Sequence, residues 1–420
     1  MGNTKNAYEL LQQRGFIEQC THEEQLRDLM DKEQVTFYIG YDPTADSLTA
    51  GHFMTLMALS HMQKAGHKPI VLMGGGTGMV GDPTDRTEMR RVMSVEELSH
   101  NVACFKKQLS RFITFGEGSN DAVMVNNADW LCALSYLPFI REYAVHFSVN
   151  RMLAAETYKS RIDIGLTFFE MNYMIMQAYD FLHLFREKNC RLQIGGSEQW
   201  SNIIAGVELI RKTEAASAYG FTMTILTTAD GSKMGKTAGN AVWLDAAKTS
   251  PYEFYQYWRN TDDSTVLRNL KLLTFLSVEE IDAMQCGDSA GINRSKEILA
   301  YEVTKTVHGK EEADKAMETS RSLFAGAGSG ATDAMPFTEI TASELSGGIN
   351  IVMLLEKAAL IESRSDARRL IQQGGITAGG KKITDFEHKI NESDFNGGEL
   401  IIQKGKKIFH RIIIRQKPNR

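Results

Sequence analysis

Cysteine pairs, long apolar runs and a leader-like start are all lacking in this chain of 420 residues. The five cysteines, Cys20, Cys104, Cys132, Cys190 and Cys286, are scattered and odd in number, and no two form a C-x-x-C pair. That argues against a disulfide framework and against a zinc site, and it predicts a reducing, cytoplasmic setting. His52, His61 and His67 are the nearest approach to a histidine cluster, and their spacing is not that of a zinc motif, so no metal-binding residues are expected. No stretch approaches the roughly 18 consecutive apolar residues of a membrane span, and the first six residues lack the basic-then-apolar layout of a signal peptide, so no membrane partner is expected.

What is present is ordinary globular usage, 43% hydrophobic and 24% charged, over a length that predicts two or three domains. The net charge of −5 conceals an asymmetry. Residues 351–420 hold 14 Lys plus Arg against 8 Asp plus Glu, a surplus of six positive charges, so the first 350 residues carry −11. A basic module on an acidic body is the footprint of a protein that binds a polyanion at one end, although a solvated charged face would look the same in composition.

Short apolar, β-branched runs at Val35–Ile39, Pro69–Met73, Ala122–Val125, Arg191–Ile194 and Thr222–Leu226 alternate with helical patterns. This predicts an α/β domain with a doubly wound parallel sheet. Ligands on such sheets bind beyond the carboxyl ends of the strands, here Gly40-Tyr41-Asp42, Gly74 to Thr77, Asn126-Asn127 and Gly195-Gly196-Ser197. After Lys248 helical periodicity takes over through Ser295–Thr306 and Lys310–Leu323. The small-residue run Ala325–Ala331 reads as a linker, and a last module begins near Gly347. The expected division is 1–228, 229–324, a linker 325–349, and 350–420. In the last part Ser363-Arg364-Ser365-Asp366 has capping-box form and Gly374-Gly375 is a helix stop, which places Arg364, Arg368 and Arg369 on one short helix. Strand-like Ile376-Thr377 and Ile383-Thr384 follow, then Leu400–Ile414 with a hairpin turn at Lys404-Gly405-Lys406-Lys407.

Two motifs carry nucleotide chemistry. Asp42 to His52 leaves a strand and runs into an apolar helix, whose free N–H groups and positive dipole end suit phosphate. Within it Gly51 leaves room for a base or ribose, and Thr44, Thr49 and His52 can donate to anionic oxygens. Asp230-Gly231-Ser232-Lys233-Met234-Gly235-Lys236-Thr237 sets two lysines in a glycine-bearing loop that can close over a pyrophosphate. Read alone, the first motif is only moderately specific, and the second fits an exposed turn as well. A rival stands in Gly76-Thr77-Gly78-Met79-Val80-Gly81, which satisfies G-x-G-x-x-G with Glu96 about 20 residues on, as a dinucleotide site would want. Against it, the loop runs into Asp82-Pro83, whose carboxylate would face the pyrophosphate, and it follows the second strand rather than the first.

In this order the two motifs resemble the HIGH and KMSKS signatures of class I aminoacyl-tRNA synthetases, here Thr49 to His52 and Lys233 to Thr237. Within that class the chain resembles the bacterial-type tyrosyl-tRNA synthetase family over nearly its whole length. The resembling stretches are Tyr38 to Ser47, Gly81-Asp82-Pro83, Val125 to Trp130, His146 to Asn150, Tyr173 to Asp180 and Gln193 to Trp200. The tail, through Leu360 to Ile371 and Gly374-Gly375-Ile376, resembles a small α+β RNA-binding module found in a ribosomal small-subunit protein.

The resemblance implies a Rossmann-like catalytic domain, an α-helical anticodon-side domain and the basic module. It implies activation of L-tyrosine by ATP with Mg²⁺, then transfer of tyrosine to the terminal ribose of tRNA(Tyr) by a homodimer. Asp180 and Tyr38 would bond the substrate phenol, and Asp82, Tyr173 and Gln177 its ammonium group. Gln193 and Gln199 would orient the tyrosine, with Thr77 and Asn127 completing the pocket. Asp42, Gly40, Gly51, His52, Gly196 and Glu198 would bind ATP. Thr44, Thr49, Arg86, Arg90, Lys233, Lys236 and Thr237 would act on the phosphates, and Arg364, Arg368, Arg369, Lys381 and Lys382 on RNA.

The residues agree with this independently. Tyr173, Gln177 and Asp180 fall at i, i+4 and i+7, on one helix face. On the roles the resemblance implies, phenylalanine would leave Asp180 and Tyr38 unpaired in a desolvated pocket, a mode of selection for which tyrosine-specific synthetases are themselves the standard example. No long insertion could house an editing site. Thr49 stands where the HIGH pattern has its first histidine, and Glu198 where the family more often has aspartate. A synthetase fold that lost its chemistry and kept RNA binding is the alternative, though the retained Lys233, Lys236, Asp82 and Asp180 do not support it.

Overall fold

The structure is a computed structural model. It describes residues 6–83, 93–163, 165–228, 231, 234, 236–237, 240–284, 288–324, 335–361, 363–405 and 408–415. The chain packs as two units, Met1–Lys248 with Asp262–Ile292, and Thr249–Thr261 with Asn293–Arg420.

The first unit is built on six strands: β1 (Ile17–Cys20), β2 (Thr36–Tyr41), β3 (Lys68–Met73), β4 (Val123–Asn126), β5 (Cys190–Gly196) and β6 (Tyr219–Met223), in the order β1-β6-β5-β2-β3-β4. Every neighbouring pair is parallel except β1 with β6. β3 is buried from Pro69 to Met73, as expected of a parallel strand covered on both faces. The chain runs outward from β2 to β3 and β4, then returns to lay β5 on the other side of β2, with Tyr38 opposite Gln193 and Ile39 opposite Ile194. The strand order therefore reverses between β2 and β5. That puts Gly40-Tyr41-Asp42 and Gly195-Gly196-Ser197 side by side at the crevice where such sheets take ligands.

Some elements depart from the expected ones. β6 lies three residues earlier than its apolar run and takes in Gly220, which sits so close to a neighbouring helix that a Cβ there would fall 2.1 Å from Ile203 Cγ2. Beyond Met223 the backbone turns to other partners, Thr224 N donating to Phe16 O at 3.0 Å. Ala122 bonds Thr114 O at 2.8 Å instead of joining β4. β1 has no counterpart among the expected strands.

A hairpin of β7 (Lys236–Thr237) and β8 (Asn240–Ala241) follows β6. Helix Val266–Leu273, expected in the helical domain, belongs to the first unit: the buried Arg14 guanidinium donates to Lys271 O at 2.8 Å, Thr274 O at 3.0 Å and Leu276 O at 2.6 Å. Lys271 O falls in the last helical turn, where carbonyls lack an intrahelical amide, and one arginine serves it together with the two carbonyls beyond the helix end.

The second unit contains helices Pro251–Arg259, Ser289–His308 (from Asn293 on) and Lys310–Phe324, and the strands β9 (Phe337–Thr341), β10 (Ile349–Asn350), β11 (Ile376–Ala378), β12 (Lys381–Lys382), β13 (Lys389–Ile390), β14 (Glu399–Lys404) and β15 (Ile408–Arg415). Five of these strands form a sheet in the order β12-β11-β14-β15-β9, over a core that includes Ile340, Leu354, Leu355, Ile371, Ile376, Ile402 and Ile412. β9 corrects the expected linker. It runs parallel to β15 and buries Ile340, so residues 337–345 are part of this module, while Ala325–Ala331 lies outside the described residues. Ile383-Thr384 is likewise outside the strands, β12 ending at Lys382.

Candidate active site

The floor of the crevice rests on helix Phe168–Lys188. Its start is fixed by a reciprocal cap in which Thr167 Oγ1 accepts from the Glu170 amide at 3.2 Å and Glu170 Oε2 accepts from the Thr167 amide at 3.1 Å. The other Glu170 oxygen accepts from Arg161 Nη2 at 2.7 Å, and both side chains are buried. From that fixed end Tyr173, Gln177 and Asp180 issue on one face. Asp180 is 1% exposed. Asn127 Nδ2 donates to Oδ2 at 2.8 Å and Trp130 Nε1 to Oδ1 at 2.7 Å. Burial nevertheless pushes its carboxyl up to about 7.

Tyr38, on β2, is equally buried, and its hydroxyl has no hydrogen-bond partner among the described residues. Burial and then the neighbouring Asp180 raise its phenol well above the ordinary range. Gln177 Oε1 and Gln193 Oε1 are also buried acceptors without a partner among the described residues. Buried polar atoms are normally satisfied, so a hydroxyl and two amide oxygens left over in one crevice are what a polar ligand with a donor at each end would complete.

Above the floor the rim is connected. Tyr173 Oη donates to Asp42 Oδ2 at 3.2 Å and Thr77 Oγ1 to Asp42 Oδ1 at 3.3 Å. Asn127 accepts from Gly76 N at 2.7 Å and donates to Thr77 Oγ1 at 2.9 Å, tying the loop after β3 to the floor. Gln199 Nε2 donates to Asp82 Oδ2 at 2.6 Å and its oxygen accepts from Gln177 at 3.2 Å and Asn202 at 3.1 Å. A Cβ on Gly74 would stand 2.2 Å from Asp42 Oδ1 and 2.6 Å from Thr77 Oγ1, so a larger residue here would push both side chains aside.

Beside this rim the segment Thr49 to His52 meets the segment that carries Met234. Thr49 Oγ1 lies 3.0 Å from His52 Nδ1, which also accepts from the Thr49 amide at 3.2 Å. Burial lowers the imidazole to about 4, so at neutral pH it is an uncharged partner. A Cβ on Gly51 would meet Met234 O of the lysine loop at 3.5 Å, ordinary contact. Ala50 N donates to Val242 O at 2.8 Å and Leu244 N to Leu48 O at 2.9 Å, so the chain leaving the lysine loop is bonded to the nucleotide loop. Gly40 and Thr44 are exposed at this rim. The Glu198 carboxylate folds so close over Gly196 that a Cβ there would lie 2.3 Å from it. Arg86, Arg90 and Lys233 lie outside the described residues, and of Lys236 and Thr237 only the backbone, in β7, is described.

Comparison with known proteins bears on this crevice. Residues 30–325 match the family described as tRNA synthetases class I (W and Y), and residues 329–412 match the Tyrosine--tRNA ligase SYY-like C-terminal domain. The Tyrosine--tRNA ligase of Acetivibrio thermocellus is 56% identical over 407 residues, 97% of this chain and 99% of that protein. The chain belongs to the tyrosine–tRNA ligase family. Its relative from Clostridium kluyveri is 54% identical over 98% of this chain and all of that protein. A C-terminally truncated mitochondrial tyrosyl-tRNA synthetase of Aspergillus nidulans superposes with a TM-score of 0.69 at 31% identity, covering 77% of this chain and 95% of that one.

For a tyrosine–tRNA ligase two polar residues went unassigned in the sequence. Trp130 holds one Asp180 oxygen, and only its i+3 spacing from Asn127 hinted at a shared target. Asn202, fully buried, steadies Gln199 and had no sequence signal. A cleft of about 450 Å³ beside the stacked rings of Trp130 and His183, 4.3 Å apart, contains none of the expected site residues. In the tail, Ser363 caps helix Arg364–Gln372 through the Asp366 amide, but the Asp366 carboxylate turns to Arg369 at 2.7 Å, so only half of the expected capping box forms. Arg364 pairs with Glu356 at 3.0 Å, Arg368 lies 5.1 Å from the Phe386 ring, and Lys381 and Lys382 are exposed on β12.

Proposed function

We propose that this chain activates L-tyrosine with ATP, forming tyrosyl-adenylate and pyrophosphate, and transfers the tyrosyl group to the 3′-terminal ribose of tRNA(Tyr). The carrying observation is the floor: a buried carboxylate at Asp180 beside the unpartnered Tyr38 hydroxyl, at the strand-order reversal. A substrate phenol would donate to Asp180 and accept from Tyr38. Its ammonium group would meet Asp82, Tyr173 and Gln177, whose Oε1 is a buried acceptor open to a cation. Gln199 and Gln193 would orient the carboxylate, with Thr77 and Asn127 holding the wall.

In activation a tyrosine carboxylate oxygen forms a bond to the α-phosphorus of ATP as the bond to pyrophosphate breaks. In transfer the terminal ribose hydroxyl attacks the acyl carbon and AMP leaves. No side chain need act as nucleophile; positioning and stabilisation of developing charge carry the acceleration. Gly40, Asp42, Gly51, His52, Gly196 and Glu198 would bind the nucleoside side of ATP. Thr44 and Thr49 would contact the γ-phosphate side, and Arg86, Arg90, Lys233, Lys236 and Thr237 the departing pyrophosphate. Mg²⁺ would enter with ATP as part of the substrate.

Tyr136, Leu137, Val145, Val149, Phe168 and Phe169 of the first unit, all exposed and all within residues 136–169, support a homodimer, because exposed apolar side chains gathered together mark association surfaces. The exposed Arg364, Arg369, Lys381 and Lys382 support tRNA contact by the tail. The cysteine pattern supports a cytoplasmic location, and among the described residues no helix is long and apolar enough to cross a membrane.

The test is ATP–pyrophosphate exchange without tRNA, run with each of the twenty amino acids. Exchange with tyrosine alone is expected, followed by charging of tRNA(Tyr). No exchange with any amino acid would instead favour a protein that only binds RNA.

A further inference from the structure

The loop from Asp42 to Thr49 has no helix or ladder of its own, yet it must hold its shape if Thr44 and Thr49 are to meet phosphate. Its two ends are gripped from one neighbouring helix. Val95–Leu109 begins at a reciprocal cap between Ser94 and Glu97, and Asn101 and Gln108 are seven residues apart, two turns along one face. Asn101, itself buried, donates Nδ2 to Pro43 O at 2.8 Å. Gln108 makes two bonds at the other end, its Oε1 accepting from Leu48 N at 2.9 Å and its Nε2 donating to Ser47 Oγ at 3.0 Å.

Ser47 is a junction. It is 2% exposed, donates to Leu48 O at 2.9 Å, and accepts from Asp245 N at 3.2 Å, on the chain that leaves the lysine loop. An ion pair between Lys248 and Asp46 at 2.5 Å bridges the same two segments. Gln108 thus ties the helix to the loop, and through the Ser47 hydroxyl the loop is tied on to the segment after the lysine loop. This glutamine grips only backbone atoms and the Ser47 hydroxyl and leaves the side chains of Thr44 and Thr49 to other partners.

We propose that Gln108, with Asn101, is a positioning residue for ATP: the two amides hold the Pro43–Leu48 loop in its phosphate-binding shape before the nucleotide arrives. This rests on the assignment of that loop to ATP in the proposed function. A loop ordered in advance spares ATP the entropy of ordering it, and a displacement of about an ångström at reacting groups is enough to slow chemistry severely.

The experiment compares the full chain with Gln108→Met, Gln108→Glu and Asn101→Leu. Equilibrium binding of ATP and of tyrosine is measured separately, with tyrosine-dependent exchange as a third readout. Gln108→Met is expected to weaken ATP binding and raise the KM for ATP roughly tenfold, the scale of two lost internal hydrogen bonds, while tyrosine binding stays within about twofold. Gln108→Glu keeps the acceptor for Leu48 N and should recover part of the loss. Asn101→Leu, at the other end of the loop, should act in the same direction. Unchanged ATP affinity in Gln108→Met and Asn101→Leu would overturn the proposal, as would an equal loss of ATP and tyrosine binding with no recovery in Gln108→Glu, the mark of general loosening. If the unaltered chain bound ATP but gave no exchange with tyrosine, the proposed function would fall, while the ATP affinities would still decide the clamp.

Discussion

Trp130 donates its indole N–H to Asp180 at 2.7 Å, so the carboxylate at the bottom of the crevice is held by a residue outside the face that carries Tyr173 and Gln177. With Asn127 on the other oxygen, Asp180 is fixed in direction and still desolvated.

That desolvation makes stability depend on pH. The Asp180 carboxyl sits at about 7 in the folded protein, against roughly 3.9 in an unfolded chain. The folded state therefore holds this proton more tightly. The contribution is fully present below about pH 4 and is lost as pH rises through 7, by about 2–4 kcal/mol at most. Thermal unfolding of the unliganded protein and of Asp180→Asn, followed from pH 4.5 to 8, should show a decline in the former that the variant lacks. Parallel curves would refute it.

Tyr38→Phe removes a buried hydroxyl that has no partner in the unliganded crevice. An unsatisfied group of this kind costs about 1–3 kcal/mol, so the variant should melt no lower than the parent and allows a direct comparison. Its preference for tyrosine over phenylalanine in exchange should fall about tenfold. A clearly lower melting temperature would mean that the hydroxyl bonds something in the free protein.

Two glycines should respond differently. Gly74→Ala drives a methyl into Asp42 and Thr77 and should cut exchange at least tenfold by displacing both. Gly51→Ala meets only ordinary contacts and should fold as well as the parent, its effect confined to the KM for ATP. Equal tyrosine and ATP parameters in Gly74→Ala would show that the loop can give way.

Glu170→Gln breaks a buried ion pair at the head of the helix that carries the floor. Removing one member leaves Arg161 with a neutral partner, and a loss of about 3–5 kcal/mol is the expected scale. Chemical denaturation measures it; a shift under 1 kcal/mol would place the helix anchor elsewhere.

The floor was legible because three polar residues at helical spacing declare a common direction, and the rim because glycine-rich turns follow apolar runs. β1 was not: Glu18 and Gln19 are exposed on a short edge strand, which lacks the apolar run that marks the central ones. β6 was misplaced because the glycine that lets it pack closely on Ile203 weakens its strand pattern. The grip of Asn101 and Gln108 left no local trace, since each meets a partner about 60 positions away by side-chain hydrogen bonds that no periodicity encodes.

The arginines on helix Arg364–Gln372 are already engaged, Arg364 with Glu356, Arg369 with Asp366 and Arg368 with an aromatic face. A polyanion arriving there competes with resident carboxylates as well as with dissolved ions. Binding would then release fewer counterions than a tally of basic residues implies, and affinity would fall less steeply with added salt than the charge surplus of the tail alone would dictate.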